Sequence, residues 1–136
     1  MKAEGNIIVT DIDKNIKVLI VDDSKSMRNI LKKLLAQGGM TNVIEADSGT
    51  SALQAIKNES PDVALLDWIL PDIDGIKVLR KIRENPASKN LPVIMLTSKT
   101  NSENIQSAKD AGVNDYLIKP ATKDAILKAV GNVLKN

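Results

Sequence analysis

Five polar side chains that could do chemistry stand at the ends of short apolar runs in the sequence. Asp22 and Asp23 follow "VLIV", Asp67 follows "VALL", Thr97 follows "VIML", and Lys119 follows "YLI". Three carboxylates, a hydroxyl and an amine can together bind one divalent cation and one phosphoryl group. They can do so only if the fold brings them to one place.

The adjacent pair Asp22-Asp23 is the first indication of a shared site. Two neighbouring carboxylates repel each other and resist losing water, so the pair is unfavourable unless it has a function that requires both acids. Capping of a following helix would explain one acid, but Ser24 could serve as the cap equally well. Asp67 alone would be an ordinary acid at the end of a strand. The combination of all three favours a metal or phosphoryl site over capping.

The elements that must position these residues alternate regularly along the chain. Apolar runs typical of buried strands occur at Val18–Val21, Val43–Ala46, Val63–Leu66, Val93–Leu96 and Tyr116–Ile118. Stretches with helical spacing separate and follow them, which predicts repeated βα units and a parallel sheet with helices on both faces. In such sheets ligands bind outside the carboxyl ends of the strands. We therefore expect all five polar residues at one edge.

The helical stretches have recognisable ends. The first has apolar residues from Met27 to Leu35 at helical spacing and stops at Gly38-Gly39. The last has apolar residues from Ile126 to Leu134, with Thr122 as its predicted N-cap. Three further helices are marked by Ala52, Leu53 and Ile56, by Ile76, Leu79 and Ile82 before Asn85-Pro86, and by Ile105, Ala108 and Ala111 before Gly112.

Composition narrows the chemistry and the class of protein. The chain has 136 residues, which predicts a single domain, and it contains neither cysteine nor histidine. A metal must therefore be a hard cation bound by oxygen. A net charge of +2 argues against nucleic acid or an anionic membrane as a partner. No apolar run approaches the ~20 residues of a membrane span, and no signal peptide follows the start, so we expect a cytoplasmic protein.

Four segments in order resemble the receiver domain of two-component response regulators, most closely the chemotaxis type. They are "VLIVDDSKSMR", "LLDWILPDIDG", "LTS" and "YLIKP", and the resemblance covers about residues 16–135. It implies a flavodoxin-like, doubly wound α/β fold with a five-stranded parallel sheet in the order 2-1-3-4-5 and five helices. Residues 1–15 would then be an N-terminal tail and residues 16–136 the receiver domain.

The resemblance also implies a role for each site residue. Asp67 would be the phosphoacceptor. Asp23 and Asp67 would give side-chain oxygens to Mg²⁺, Asp22 would act through a metal-bound water, and Ile69 would give its backbone carbonyl. Without the cation, a phosphoryl donor approaching these acids would be repelled. The repulsion is roughly 4 kcal/mol for each pair of unit charges about 4 Å apart at an effective dielectric near 20.

The remaining implied roles concern the phosphoryl group and its effect. Lys119 would pair with the carboxylate and later with a phosphoryl oxygen, and its bond to Pro120 would be cis. Thr97 would donate its hydroxyl to the phosphoryl group. Its movement would let Tyr116 turn inward and would alter the face formed by helix four, strand five and helix five.

Three positions depart from what the family usually has. Ile69, two residues after Asp67, cannot orient a water with its side chain, and Lys99, two residues after Thr97, adds positive charge. We predict that Ile69 and Lys99 set the lifetime of the phosphorylated form. Ala121 follows Lys119-Pro120 where the family often has Phe, which bears on the packing of that loop.

The predicted function is that of a monomeric, single-domain response regulator. A sensor histidine kinase or phosphotransfer protein would phosphorylate Asp67, and output would come through contact with a target protein. Such a protein is not an enzyme beyond its own phosphorylation and dephosphorylation. The alternatives are a receiver module of a longer regulator, a pseudo-receiver that signals without phosphate, and, in another class, a small Mg²⁺-dependent phosphatase with an aspartyl-phosphate intermediate.

Two competing motifs lie near the start of the chain. "DIDKN" at residues 11–15 resembles the opening of a calcium loop, but Ile16 stands where the sharp turn requires Gly, and the twelfth position would be Asp22. "NIIVTDID" resembles the opening of haloacid-dehalogenase-type phosphatases, although the chain is short for that family. "PDIDG" at residues 71–75 predicts a turn and a helix entry.

Overall fold

The five apolar runs form five parallel strands. In this computed structural model, which describes residues 15–135, the strands are β1 (Lys17–Val21), β2 (Asn42–Ala46), β3 (Val63–Leu66), β4 (Val93–Thr97) and β5 (Asp115–Ile118). Their order is β2-β1-β3-β4-β5, and every neighbouring pair is parallel. The predicted doubly wound α/β fold with strand order 2-1-3-4-5 is confirmed.

Each strand is followed by a helix, as the βα pattern predicts. The helices are α1 (Lys25–Gln37), α2 (Gly49–Glu59), α3 (Gly75–Glu84), α4 (Ser102–Asp110) and α5 (Lys123–Leu134). Gly38 is the C-cap of α1, and the hydroxyl oxygen of Thr122 accepts a hydrogen bond from the Ala125 backbone N–H at 3.1 Å at the start of α5. Both predicted helix boundaries are confirmed.

The core consists of two apolar layers, one on each face of the sheet. Alternate residues of β1 point to opposite layers: Leu19 packs with α2, α3 and α4, whereas Val18 and Ile20 pack with α1 and α5. The central strand β3 is buried along its whole length. Because the strands are fixed from both sides, the residues that follow them have little freedom to move apart.

Three sequence interpretations fall wholly or mostly outside the residues that the structure describes. The phosphatase-like opening, all but the last residue of the calcium-loop opening and nearly all of the 1–15 tail lie outside residues 15–135. Within that range, no helix is both long and apolar enough to cross a membrane.

Candidate functional site

The three aspartates meet at the carboxyl edge of the sheet, as the sequence predicted. One carboxylate oxygen from each of Asp22, Asp23 and Asp67 lies within 4.8 Å of the others, an arrangement that could hold a metal ion. Asp22 and Asp67 are only 3% and 8% exposed, whereas Asp23 is exposed to solvent. Two carboxylates thus line the floor of the site, and the third stands at its opening.

Lys119 bridges the two buried acids. Its Nζ donates to Asp22 Oδ2 at 2.6 Å and to Asp67 Oδ2 at 2.8 Å. Burial by itself would lower the pKa of Lys119, but hydrogen bonds to Asp22 and then Asp67 outweigh burial and raise the pKa above its usual value. The amine therefore stays charged, and one ammonium group facing three carboxylates gives the site a formal surplus of two negative charges.

Backbone hydrogen bonds extend the sheet just past the strand ends and so place these residues. The N–H of Asp22 donates to the Ala46 carbonyl at 3.1 Å, and that of Asp67 to the Val21 carbonyl at 3.0 Å. The N–H of Lys119 donates to the carbonyl of Thr97 at 2.9 Å, which places these two residues side by side at the same edge of the sheet. The predicted cis bond between Lys119 and Pro120 is present.

Helix capping does not account for the pair of acids. Ser24 is the N-cap of α1, and its hydroxyl oxygen accepts from the Met27 N–H at 3.2 Å. Asp22 contributes to the turn, since its Oδ1 accepts from the Ser24 N–H at 2.9 Å. Asp23 is not needed for the cap, which leaves its exposed carboxylate available to a cation.

Arg28 supports the site in a way that sequence reasoning missed. Its Nη1 donates to the backbone carbonyl of Asp22 at 2.7 Å, and its Nε donates to Glu45 Oε1 at 2.9 Å. Hydrogen bonds from Arg28 and then Lys32 lower the pKa of Glu45, so the ion pair is maintained at neutral pH. Arg28 thereby ties the main chain of Asp22 to α1 and β2.

The segment from Asp67 to Gly75, called here the 67–75 loop, is closed tightly at its base. Asp67 Oδ1 accepts from the Trp68 N–H at 2.7 Å, and the Gly75 N–H donates to the Trp68 carbonyl at 2.6 Å. A Cβ on residue 75 would overlap the carbonyl oxygen of Asp67, so only glycine permits this approach. The Ile69 side chain is 52% exposed beside the site. Its predicted carbonyl role toward a metal stays a prediction.

Asp72, within the same loop, is a second residue that sequence reasoning missed. The "PDIDG" segment does form the predicted turn and helix entry, with Asp74 as N-cap residue of α3, but Asp74 makes no side-chain cap bond. The Asp72 carboxylate instead accepts from the backbone N–H groups of Gly49 and Thr50, at 2.7 and 2.8 Å, at the start of α2. Hydrogen bonds from Thr50, led by its hydroxyl, and from Gly49 hold the pKa of Asp72 far below its usual value.

Thr97 and Tyr116 are joined through the backbone of Lys99. Thr97 is fully buried, and its hydroxyl oxygen accepts from the Lys99 N–H at 3.3 Å. The Tyr116 hydroxyl donates to the Lys99 carbonyl at 2.8 Å. Burial, followed by the negative charge of Asp67, raises the pKa of Tyr116, so this hydroxyl keeps its proton. The two predicted switch residues therefore bind the same residue, Thr97 at the Lys99 N–H and Tyr116 at the Lys99 carbonyl.

Comparison with known proteins gives a consistent assignment. Residues 18–131 match the family model described as "Response regulator receiver domain". The chain is 40% identical over 124 residues to chemotaxis protein CheY-3 of Vibrio cholerae, which covers 91% of this chain and 95% of the relative. It is also 40% identical over 119 residues to chemotaxis protein CheY of Pseudomonas aeruginosa, covering 88% of this chain and 96% of that protein.

Solved structures share the fold over nearly the whole chain. A putative response regulator from Chloroflexus aurantiacus superposes with a TM-score of 0.84 at 36% identity, covering 89% of this chain and 98% of that one. The phosphorylated cyanobacterial phytochrome response regulator RcpA gives 0.76 at 28% identity, with coverages of 89% and 94%. The Mn²⁺-bound form of response regulator Rcp1 gives 0.72 at 29% identity, with coverages of 87% and 91%.

Proposed function

We propose a function for this chain from its acidic site and from the family to which it belongs, the response regulator receiver domains. Members of that family are signalling receivers rather than enzymes in the usual sense. In our proposal Asp67 accepts a phosphoryl group from the phosphohistidine of a sensor kinase or phosphotransfer protein. The donor P–N bond breaks, an O–P bond to the Asp67 carboxylate forms, and the receiver domain comprises residues 16–136.

The surplus negative charge of the site is the observation that carries this proposal. Three carboxylates face one ammonium group, and two of those carboxylates are almost fully buried. Such a site repels an anionic phosphoryl donor until a cation is added. The oxygen-only donor set suits Mg²⁺, which is bound in proteins by one or two carboxylates and several waters.

Asp23, Asp67 and the Ile69 carbonyl would hold the cation, with Asp22 acting through water. When bound, Mg²⁺ would neutralise charge on the phosphoryl group as it is transferred. The Mn²⁺-bound Rcp1 structure supports a divalent cation in a receiver of this fold, and the phosphorylated RcpA structure supports covalent modification.

Lys119 and Thr97 would bind the phosphoryl oxygens once the group is on Asp67. Lys119 already contacts Asp67 Oδ2 at 2.8 Å, so its ammonium group needs little movement to neutralise a new oxygen beside that carboxylate. Thr97 accepts a hydrogen bond from Lys99 and can donate its own proton at the same time. Ile69 and Lys99, beside these groups, would set the lifetime of the phosphorylated form.

Lys99 offers a physical connection between the phosphoryl group and the output face. If the Thr97 hydroxyl turns toward the phosphoryl oxygens, its bond to the Lys99 N–H changes, and Tyr116 is bonded to the carbonyl of that same residue. A local charge change could thus shift the loop between β4 and α4. We propose that the face formed by α4, β5 and α5 binds the target protein, in a chemotaxis-like process suggested by the two 40% identical relatives.

Stoichiometry of phosphorylation tests this function against the phosphatase alternative. Incubation with acetyl phosphate and Mg²⁺ should add one phosphoryl group per chain, sensitive to hydroxylamine and absent from Asp67→Asn. Asp110→Asn, which alters an exposed acid of α4, is the matched control and should be modified normally. Sustained hydrolysis of p-nitrophenyl phosphate, far beyond one equivalent, would overturn the receiver assignment in favour of a phosphatase.

A further inference from the structure

The 67–75 loop is held at two points, one by bonds within the loop itself and the other by bonds to α2. At its base, Gly75 lies against the backbone of Asp67 and Trp68. Near its far end, the Asp72 carboxylate binds the start of α2, an element from another part of the chain. Ile69, whose carbonyl is a proposed metal ligand, lies between these two points.

Asp72 supplies half of the cap of α2. The first N–H groups of a helix have no partner within the helix. At the start of α2, Ser48 and Ser51 satisfy one another in a capping box, while Gly49 and Thr50 donate their N–H groups to Asp72. The Thr50 hydroxyl adds a third bond to Asp72 Oδ2 at 2.6 Å.

The sequence of α2 permits this close approach. A Cβ on residue 49 would overlap the Ile73 side chain next to Asp72, so glycine at the first position of α2 lets the loop reach the helix end. Within the loop, Leu70 is 7% exposed and packs in the core. The buried Leu70 side chain and the Asp72 carboxylate together fix the part of the loop that directly follows Ile69.

We propose that Asp72 is a positioning residue for the phosphorylation site, holding the Ile69 backbone in place for the metal through its bonds to α2. This inference rests on the proposed function, because it deepens the account of the same site. The Asp72 carboxylate is bonded to the start of α2, and Asp72 is not among the residues proposed to hold the metal or the phosphoryl group. Groups that orient metal ligands from outside the coordination sphere commonly affect metal affinity by tenfold or more.

A purely structural role for Asp72 would be capping of α2, and the chain offers a matched control for that role. Ser48→Ala removes a cap bond from the same helix end, at the Ser51 N–H, and leaves the bonds between Asp72 and α2 in place. Both Asp72→Ala and Ser48→Ala should lower the free energy of unfolding. Of these two variants, only Asp72→Ala should change the affinity for Mg²⁺.

The test compares Mg²⁺ affinity in these variants by the fluorescence of Trp68, with urea unfolding measured in parallel. We expect Asp72→Ala to raise the dissociation constant for Mg²⁺ about tenfold, Thr50→Val to raise it less, and Ser48→Ala to leave it unchanged. Thr50→Val removes only one of the bonds to Asp72, so it keeps the test valid if Asp72→Ala does not fold.

Two results would overturn the inference while leaving the proposed function intact. One is an unchanged Mg²⁺ affinity in both Asp72→Ala and Thr50→Val. The other is an equal loss of affinity in Asp72→Ala and Ser48→Ala, which would assign the effect to α2 stability. If the unaltered protein neither binds Mg²⁺ nor accepts a phosphoryl group, the proposed function fails and the inference falls with it.

Discussion

Two cationic side chains, Lys119 and Arg83, lie at opposite ends of the sheet and have hydrogen-bond partners of different charge. At the carboxyl end, Lys119 faces the carboxylates of Asp22 and Asp67. At the amino end of β4 and β5, Arg83 donates to neutral oxygens within residues 15–135, namely the carbonyls of Gly112, Lys89 and Leu91 and the side-chain amide of Asn114. The first centre has surplus negative charge, whereas the Arg83 guanidinium makes four hydrogen bonds to neutral acceptors.

The pKa values of the two cations show the same contrast. Burial lowers the pKa of Arg83, and no acid of the described part of the chain acts in the other direction. Burial also acts to lower the pKa of Lys119, but its two acidic partners more than offset that and raise it. A neutral network that satisfies its cation serves stability, whereas a site with excess charge is held ready for a ligand.

Replacement of Arg83 should produce the largest change in stability. Arg83→Met removes hydrogen bonds that join α3 to the chain before β4 and before β5, and it leaves carbonyl groups without a donor. We expect the free energy of unfolding in urea to fall by about 3 kcal/mol. Arg80→Met, at an exposed position of the same helix, should change it by less than about 0.5 kcal/mol. Equal effects of the two substitutions would contradict the structural role given to Arg83.

Mg²⁺ should stabilise the folded protein only by binding at the acidic site, at the carboxyl edge of the sheet. At a hundred times its dissociation constant, the cation should raise the free energy of unfolding by about 2.7 kcal/mol. Asp23→Asn removes a carboxylate proposed as a direct ligand, so it should weaken binding by more than the roughly tenfold that is common for groups outside the coordination sphere. At the same Mg²⁺ concentration the increment should then fall below about 1.4 kcal/mol. Arg83→Met should retain the full increment, and a loss there would show that the two ends are coupled.

The smallest effect concerns pH and Asp72. Because the pKa of Asp72 is lower in the folded protein than in the unfolded chain, its stabilising contribution is present above about pH 4 and is lost as pH falls through the folded value. Asp72→Asn should therefore make stability less sensitive to pH below about 4. Urea unfolding at several acidic pH values measures this. If the free energy of unfolding of Asp72→Asn falls with pH as it does in the unaltered protein, the result would argue against the bonds from Asp72 to Gly49 and Thr50.

The strands, the helices and the acidic site could be predicted because each leaves a local pattern. Apolar runs such as "VLIV" mark buried strands, and the carboxyl ends of parallel strands converge, so Asp22, Asp67 and Lys119 were expected together. Asp72 and Arg83 could not be found in this way. Most of their partners are backbone groups outside their own elements, and a backbone N–H or carbonyl has no signature in the sequence.

Trp68 provides the most direct test of the central claim that surplus negative charge makes the site dependent on a divalent cation before Asp67 can be modified. It is the only tryptophan and follows Asp67 directly. Its fluorescence should change on addition of Mg²⁺ and change again when acetyl phosphate is added, and Asp67→Asn should lose the second change. A full response to acetyl phosphate in the presence of excess EDTA, or no response to Mg²⁺, would contradict the account.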